Sequence, residues 1–239
     1  MLNHEKGALP LYAQLETILK KQIEHGEYNK GDLFPSEKMV MEQYQVSRAT
    51  VRQAFAALTQ DGYVKSRRGI GTEVIYEKID EHLKSVISFT DEMKQHNITM
   101  STSHCRMTKV KPSTKVATNL QIPKTDKCYC LTRVRCVNDR PLVYTITYLK
   151  DIVELPMDNQ YYMESLYKYL TEIHGIRIER GKDTLEAALP SEEVQRLLEI
   201  EPQMPVFKRV RHTYLPDNEV FEYSICYYPG NRYKYTVDL

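Results

Sequence analysis

Two serines eleven residues apart, Ser36 and Ser47, most tightly constrain how the first third of this chain can fold. Each stands just before a stretch with helical spacing of apolar residues, where a short hydroxyl accepts from the backbone donors a helix N-terminus leaves over. The first stretch, to about residue 44, is a short helix with Met39 and Val40 inward. The second, residues 48–60, buries Val51, Ala54, Phe55 and Leu58. Only Gln45 and Val46 separate them, so the two helices meet at a tight turn. Upstream, residues 10–25 carry Leu11, Leu15, Ile18, Leu19 and Ile23 at helical spacing, with Pro10 suited to a first turn and Gly26 to the stop. Downstream, residues 63–66 and 72–76 alternate around Arg67-Arg68-Gly69-Ile70-Gly71, which reads as a hairpin tip. Three helices and a hairpin make a winged helix-turn-helix.

With 239 residues the chain has room for a second domain. Residues 1–76 form the first, the charged stretch 77–84 reads as a linker, and residues 85–239 form the second. There the texture changes to alternating strands rich in tyrosine and threonine. Residues 128–137 and 142–149 make one hairpin, 206–215 and 221–228 another, and 233–237 a last strand. Residues 165–174 and 191–198 are helical. This is an α+β domain with a mostly antiparallel sheet. No run of apolar residues is long enough to span a membrane. The N-terminus lacks the apolar core of a secretory signal, so the chain is expected in the cytoplasm. Five cysteines (Cys105, Cys128, Cys130, Cys136, Cys226), odd in number and without a Cys-x-x-Cys pair, fit reduced thiols.

The net charge of +1 neither favours nor excludes nucleic acid, but its placement is informative. Between Ser47 and Gly71 five cations, Arg48, Arg52, Lys65, Arg67 and Arg68, face a single acid, Asp61. Ser47, Arg48, Thr50 and Arg52 crowd the first turns of the second helix of the pair, where a groove-reading helix needs its donors. Arginine beside glycine at a hairpin tip suits a narrow minor groove, whose concentrated negative potential attracts guanidinium. A generic three-helix bundle with solvated arginines satisfies the same pattern.

The second domain offers no catalytic constellation: His82, His96, His104, His174 and His212 are scattered, without partners at metal or triad spacing. What it does offer is Arg133 and Arg135, which share one face of a strand. If that face is covered, the pair needs anions, from protein carboxylates or from a ligand. A solvated outer face is the other possibility.

Two resemblances sharpen these readings. Pro10-Leu11-Tyr12, Gly31-Asp32, Leu33-Phe34-Pro35-Ser36-Glu37, Val46-Ser47-Arg48-Ala49-Thr50-Val51-Arg52 and Arg68-Gly69-Ile70-Gly71-Thr72 resemble, in order and spacing, the GntR family of bacterial repressors. The resemblance implies contacts to double-stranded operator DNA by Lys38, Ser47, Arg48, Thr50 and Arg52, with Arg68 and Gly69 at the wing. Lys38 stands where many relatives have arginine, and an ammonium reads a base less sharply than a guanidinium.

Phe89-Thr90, Leu131-Thr132-Arg133-Val134-Arg135, Arg140-Pro141-Leu142, Ser165-Leu166-Tyr167 and Glu222-Tyr223-Ser224 resemble the UTRA sensor domain of the family's HutC branch, with a chorismate lyase-like fold. That resemblance implies a homodimer on a palindromic operator, no cofactor, no metal and no enzymatic activity. It also implies an effector site: Thr90, Arg133, Arg135, Ser165 and Tyr167 toward a phosphate, and Glu222 and Tyr228, with Phe89 beside them, toward a sugar. Amino-sugar sensors of the branch carry glutamate where this chain has Thr145, which points to a different phosphorylated sugar. A different small anion, or a DNA-binding protein that needs no ligand, remains open.

Overall fold

The computed structural model describes every residue except 1, 6, 78, 83–89, 91–92, 94–97 and 237–239; in residues 79–82 and 236 only the backbone is described. The chain divides into two compact units, Met1–Lys78 and Ile79–Leu239.

In the first unit, α1 (Leu11–Glu24), α2 (Glu37–Tyr44) and α3 (Arg48–Gln60) pack around Leu15, Leu19, Val40, Val51, Ala54 and Leu58, each at most 1% exposed. Both expected caps form. Ser36 Oγ accepts from the Met39 amide at 3.3 Å, and Ser47 Oγ accepts from the Thr50 amide at 3.2 Å. Gln45 turns the corner between α2 and α3 in the left-handed region, with φ 53°. Met39, expected inward, is instead 58% exposed. A helix this short buries a single row, and Val40 occupies it. The wing is β2 (Val64–Arg67) and β3 (Gly71–Val74), with the two-residue strand β1 (Leu33–Phe34) added antiparallel to β3. Phe34 is thereby drawn into the core against Phe55, their ring centroids 5.6 Å apart.

In the second unit six strands form one antiparallel sheet. They are β5 (Met100–Val110), β6 (Cys128–Val137), β7 (Arg140–Lys150), β8 (Arg180–Ala188), β9 (Val206–Tyr214) and β10 (Val220–Pro229), in the order β5-β6-β7-β10-β9-β8. Asn138 and Asp139, with φ 50° and 60°, make the tight hairpin between β6 and β7; this double positive φ matches the sheet's twist. Successive side chains alternate between the faces. One face carries Val134, Cys136, Tyr144 and Val206 under α6 (Glu192–Leu198), and Cys128 and Tyr223 under α4 (Thr114–Leu120). On the other face Tyr129, Leu131 and Leu149 pack with Leu166 and Leu170 of α5 (Leu166–His174). Fully burying each such leucine contributes about 1.5–3 kcal/mol.

The expected linker, residues 77–84, differs from what is found. Residues 79–82 form β4 (Ile79–His82), which pairs in parallel with β11 (Tyr233–Thr236). Backbone bonds to a segment some 150 positions away make this strand, and local charge carries no trace of them. No helix among the described residues is long and apolar enough to cross a membrane.

Candidate functional site

In the N-terminal unit the buried row Val51, Ala54, Phe55 and Leu58 of α3 forces Arg48 and Arg52 outward, and both are exposed. Arg48 Nε donates to Glu37 Oε2 at 3.3 Å, which ties the start of α3 to the start of α2. Thr50 Oγ1 lies 2.9 Å from Ser47 Oγ, so the two hydroxyls share the helix N-terminus. Lys38 on α2 stands in solvent, 3.9 Å from Glu42. At the wing Arg67 pairs with Glu73, while Arg68 is exposed. Gly69 has φ +79°, and a β-carbon built there would meet no heavy atom within 4 Å. The wing tip therefore gives close backbone access from outside. Together these groups form a cationic, donor-rich helix start and a slender basic tip, the equipment of a groove-reading protein.

In the C-terminal unit the sheet face beneath α5 holds a small polar cavity of about 60 Å³. Four adjacent strands supply its floor: Arg133 and Arg135 from β6, Thr145 and Thr147 from β7, Glu222, Ser224, Cys226 and Tyr228 from β10, and Arg209 and Arg211 from β9. Every one obeys the two-residue period, so one face of the sheet presents a polar band while its neighbours in sequence fill the core opposite. Leu166 and Tyr167 of α5, together with Thr90, complete the lining.

Arg133 Nη1 donates to the carbonyl oxygens of Tyr162 and Glu164 at 3.1 and 3.0 Å. Arg135 donates to the Glu164 carbonyl at 3.2 Å and to Thr90 Oγ1 at 2.8 Å. Among the described residues neither guanidinium has a carboxylate partner, and the Nε atoms of both are buried without an acceptor. Burial, and then the neighbouring Arg133 charge, push Arg135 down to about 10; burial likewise lowers Arg133.

Glu222 is organised differently. Tyr167 Oη donates to its Oε2 at 2.7 Å, and Thr213 Oγ1 donates to the same oxygen at 3.3 Å. Burial, and next the Glu222 charge, raise the Tyr167 phenol well above its ordinary value, so it stays a donor. Arg211 is clamped by Asp183 through two hydrogen bonds of 2.8 and 2.7 Å. Burial and Arg209 alone would lower Arg211, but Asp183 outweighs them and raises it.

Of the sensor residues expected from sequence, the fold gathers Thr90, Arg133, Arg135, Tyr167, Glu222 and Tyr228 around this cavity. Ser165 is one residue outside the lining: its Oγ accepts from the Lys168 amide at 3.3 Å as the cap of α5. Phe89 lies outside the described residues. Sequence reasoning missed Arg209 and Arg211, although they repeat the Arg133/Arg135 signal, two arginines at strand spacing.

Residues 11–74 match the gntR family of bacterial regulatory proteins, and residues 95–234 match the UTRA domain. The chain is 29% identical over 232 residues to the HTH-type transcriptional repressor NagR of Bacillus subtilis (strain 168), covering 97% of this chain and 96% of that protein. It is 28% identical over 231 residues to the mannosyl-D-glycerate transport/metabolism system repressor MngR of Escherichia coli (strain K12), with the same coverage. Among solved structures, PhnF from Mycobacterium smegmatis is similar with a TM-score of 0.63 and 27% identity, over 96% of this chain and 99% of that one. With a winged helix-turn-helix in front of a domain whose match spans more than half its length, the chain belongs to the UTRA-containing, HutC-type branch of the GntR family and is a DNA-binding transcriptional repressor, not an enzyme.

Proposed function

We propose that this repressor acts in the cytoplasm as a homodimer on a palindromic operator and is released from it by a phosphorylated sugar. The observation that carries the effector class is the Arg133/Arg135 pair: two buried guanidiniums on one cavity wall, held among the described residues by carbonyls and a hydroxyl and by no carboxylate. Such a pair favours a dianion, because phosphate offers several acceptors and cancels the repulsion between the two charges. Tyr167, Ser165 and the N-terminus of α5 stand beside it, where backbone donors suit the same group. Glu222 and Tyr228 supply the carboxylate and aromatic face that a polyol takes. MngR, named for a mannosyl-D-glycerate system, supports a carbohydrate-derived effector in this branch.

On the DNA side, Lys38, Ser47, Arg48, Thr50 and Arg52 contact the major-groove edge and its phosphates, and Arg68 and Gly69 approach the minor groove. Effector binding alters the sensor so that the dimer's two winged helices fit the half-sites less well. A coupling of about 1–3 kcal/mol is enough for that regulation.

The test is fluorescence anisotropy with DNA from upstream of the chain's own gene, titrated with a panel of sugar phosphates. Release by one phosphorylated sugar, lost in Arg133→Ala and Arg135→Ala, supports the reading. Tight binding that no phosphate disturbs overturns the effector assignment and leaves the repressor itself standing.

A further inference from the structure

The cavity wall at Tyr228 meets the last strand of the chain. The Tyr228 ring stacks on that of Tyr233, the opening residue of β11, with centroids 4.0 Å apart and planes 19° from parallel. Tyr233 is only 3% exposed. The Phe207 ring centroid lies 6.4 Å from that of Tyr228, 5.8 Å from that of Tyr233 and 5.5 Å from that of Tyr235. Val143 and Cys226 belong to the same buried cluster. In a core packed this closely a ring has no free volume to move into, so a displaced ring moves its neighbours.

The turn between β10 and β11 is anchored. Gly230 N donates to the Pro205 carbonyl at 2.9 Å, and a β-carbon at Gly230 would stand 2.8 Å from that oxygen. Arg232 Nη1 donates to the Pro141 carbonyl at 2.7 Å. Beyond the turn β11 runs parallel to β4, with Tyr233 in register with Ile79, Lys234 with Asp80 and Tyr235 with Glu81. Among the described residues β4 has no other strand partner. Ile79 opens the C-terminal unit, and Lys78 before it closes the N-terminal one. The residue stacked on a cavity wall is therefore the one paired with the point where the chain enters the sensor unit.

We infer that Tyr233 is the positioning residue that couples the cavity to the DNA-binding unit. A ligand that presses on Tyr228 displaces the Tyr228–Tyr233 stack, and β11 passes the displacement through its backbone pairs to β4 and the Lys78–Ile79 junction. This rests on the reading of the cavity as the effector site and adds the route by which occupancy is felt. The ring carries it and the hydroxyl does not: Tyr233 Oη is buried with no hydrogen-bond partner among the described residues, so phenylalanine supplies what the stack needs.

The test uses the full-length protein, the DNA upstream of its own gene, and the 6-phosphates of D-glucose, D-mannose, D-fructose and D-glucitol as probes. For each probe that releases the wild type, titration calorimetry gives its Kd without DNA. Anisotropy gives the factor by which saturating probe weakens operator binding, about 5–150 for a coupling of ordinary size. Tyr233→Leu is expected to bring that factor to within about twofold of one, with the probe's Kd and the probe-free operator affinity each within about threefold of wild type. Tyr233→Phe is expected to keep the wild-type factor. A folded Tyr233→Leu protein that keeps the factor overturns the relay and leaves the effector reading standing. A factor lost together with probe affinity makes Tyr233 a support of the binding site and overturns the relay equally. Should that variant fail to fold, hydrogen exchange on the wild type decides. Saturating probe is expected to change the protection of the amides of β4 and β11, and unchanged protection overturns the relay. If no probe releases the wild type, the effector reading and the relay fall together.

Discussion

Arg135→Met separates a guanidinium kept for a ligand from one kept for the fold. Arg135 is 4% exposed and, by burial and by the adjacent Arg133, is held down at about 10. At about 1.4 kcal/mol for each tenfold change in proton affinity, the folded state penalises its charged form by about 3 kcal/mol. Against that stand two hydrogen bonds, to the Glu164 carbonyl and to Thr90 Oγ1, each contributing about 1 kcal/mol. The Glu164 carbonyl keeps its bond from Arg133 after the substitution, so it is not orphaned. Methionine replaces the arginine stem with apolar matter of similar reach. The penalty outweighs the bonds, and the ligand-free variant is expected to be more stable by about 1 kcal/mol, raising the sensor unit's Tm by about 2–4 °C.

An anionic ligand reverses this order. At a concentration one hundred times its Kd, a ligand that binds only the folded state adds about 2.7 kcal/mol to the wild type, and the variant gains almost none of it. Calorimetry of the full-length protein, with and without D-glucitol 6-phosphate, reads both quantities. The reasoning is refuted if ligand-free Arg135→Met is destabilised by more than about 1 kcal/mol. It is refuted equally if the phosphate stabilises the variant as much as the wild type.

Three further outcomes are expected. The affinity for a sugar phosphate should rise as pH climbs through about 6, where phosphate loses its second proton, and fall as pH climbs through about 10, where Arg135 loses its charge; titration calorimetry across pH reads this. The sign for folding is opposite: Arg135 lies below its unfolded value, so its unfavourable contribution is present at neutral pH and fades above about 10. Ser47→Ala, which removes the α3 cap, should lower the stability of the N-terminal unit by about 1 kcal/mol in a urea melt and weaken operator binding. Arg52→Ala and Arg68→Ala should each reduce the slope of log affinity against log salt by about one if each contacts a phosphate, and an unchanged slope would remove that residue from the interface.

The elements legible in the sequence are those whose determinants are local. The Ser36 and Ser47 caps and the apolar row of α3 each act within a few residues, and each forms where expected. The unread elements depend on distant partners. Strands β5 and β8 are the two edges of the sheet, largely exposed, so their sequences show little apolar alternation, and each is held by backbone bonds to one neighbour. Strand β1 exists because Leu33 and Phe34 meet β3, forty residues on. For the cavity, the spacing of Arg133 and Arg135 announced a shared face. The row that sets Arg209 opposite them needs the order β6-β7-β10-β9, and no local pattern encodes a strand order.

That order also explains how a buried arginine pair is tolerated. Two guanidiniums carry ten N–H donors, and four of the ten are engaged among the described residues, by the Tyr162 and Glu164 carbonyls and by Thr90. Those contacts orient the pair and leave the Nε donors of both buried without an acceptor among the described residues. Binding in this reading therefore need not break the carbonyl contacts; it removes the charge penalty instead. The segment that supplies the carbonyls is tied in turn to the edge strand β5: Met107 N donates to Asn159 Oδ1 at 2.9 Å, and Thr102 Oγ1 to the Met163 carbonyl at 2.7 Å. Thr90 is the lining residue closest in sequence to the boundary after Lys78. An anion that draws Arg135 toward itself competes with the 2.8 Å bond to Thr90.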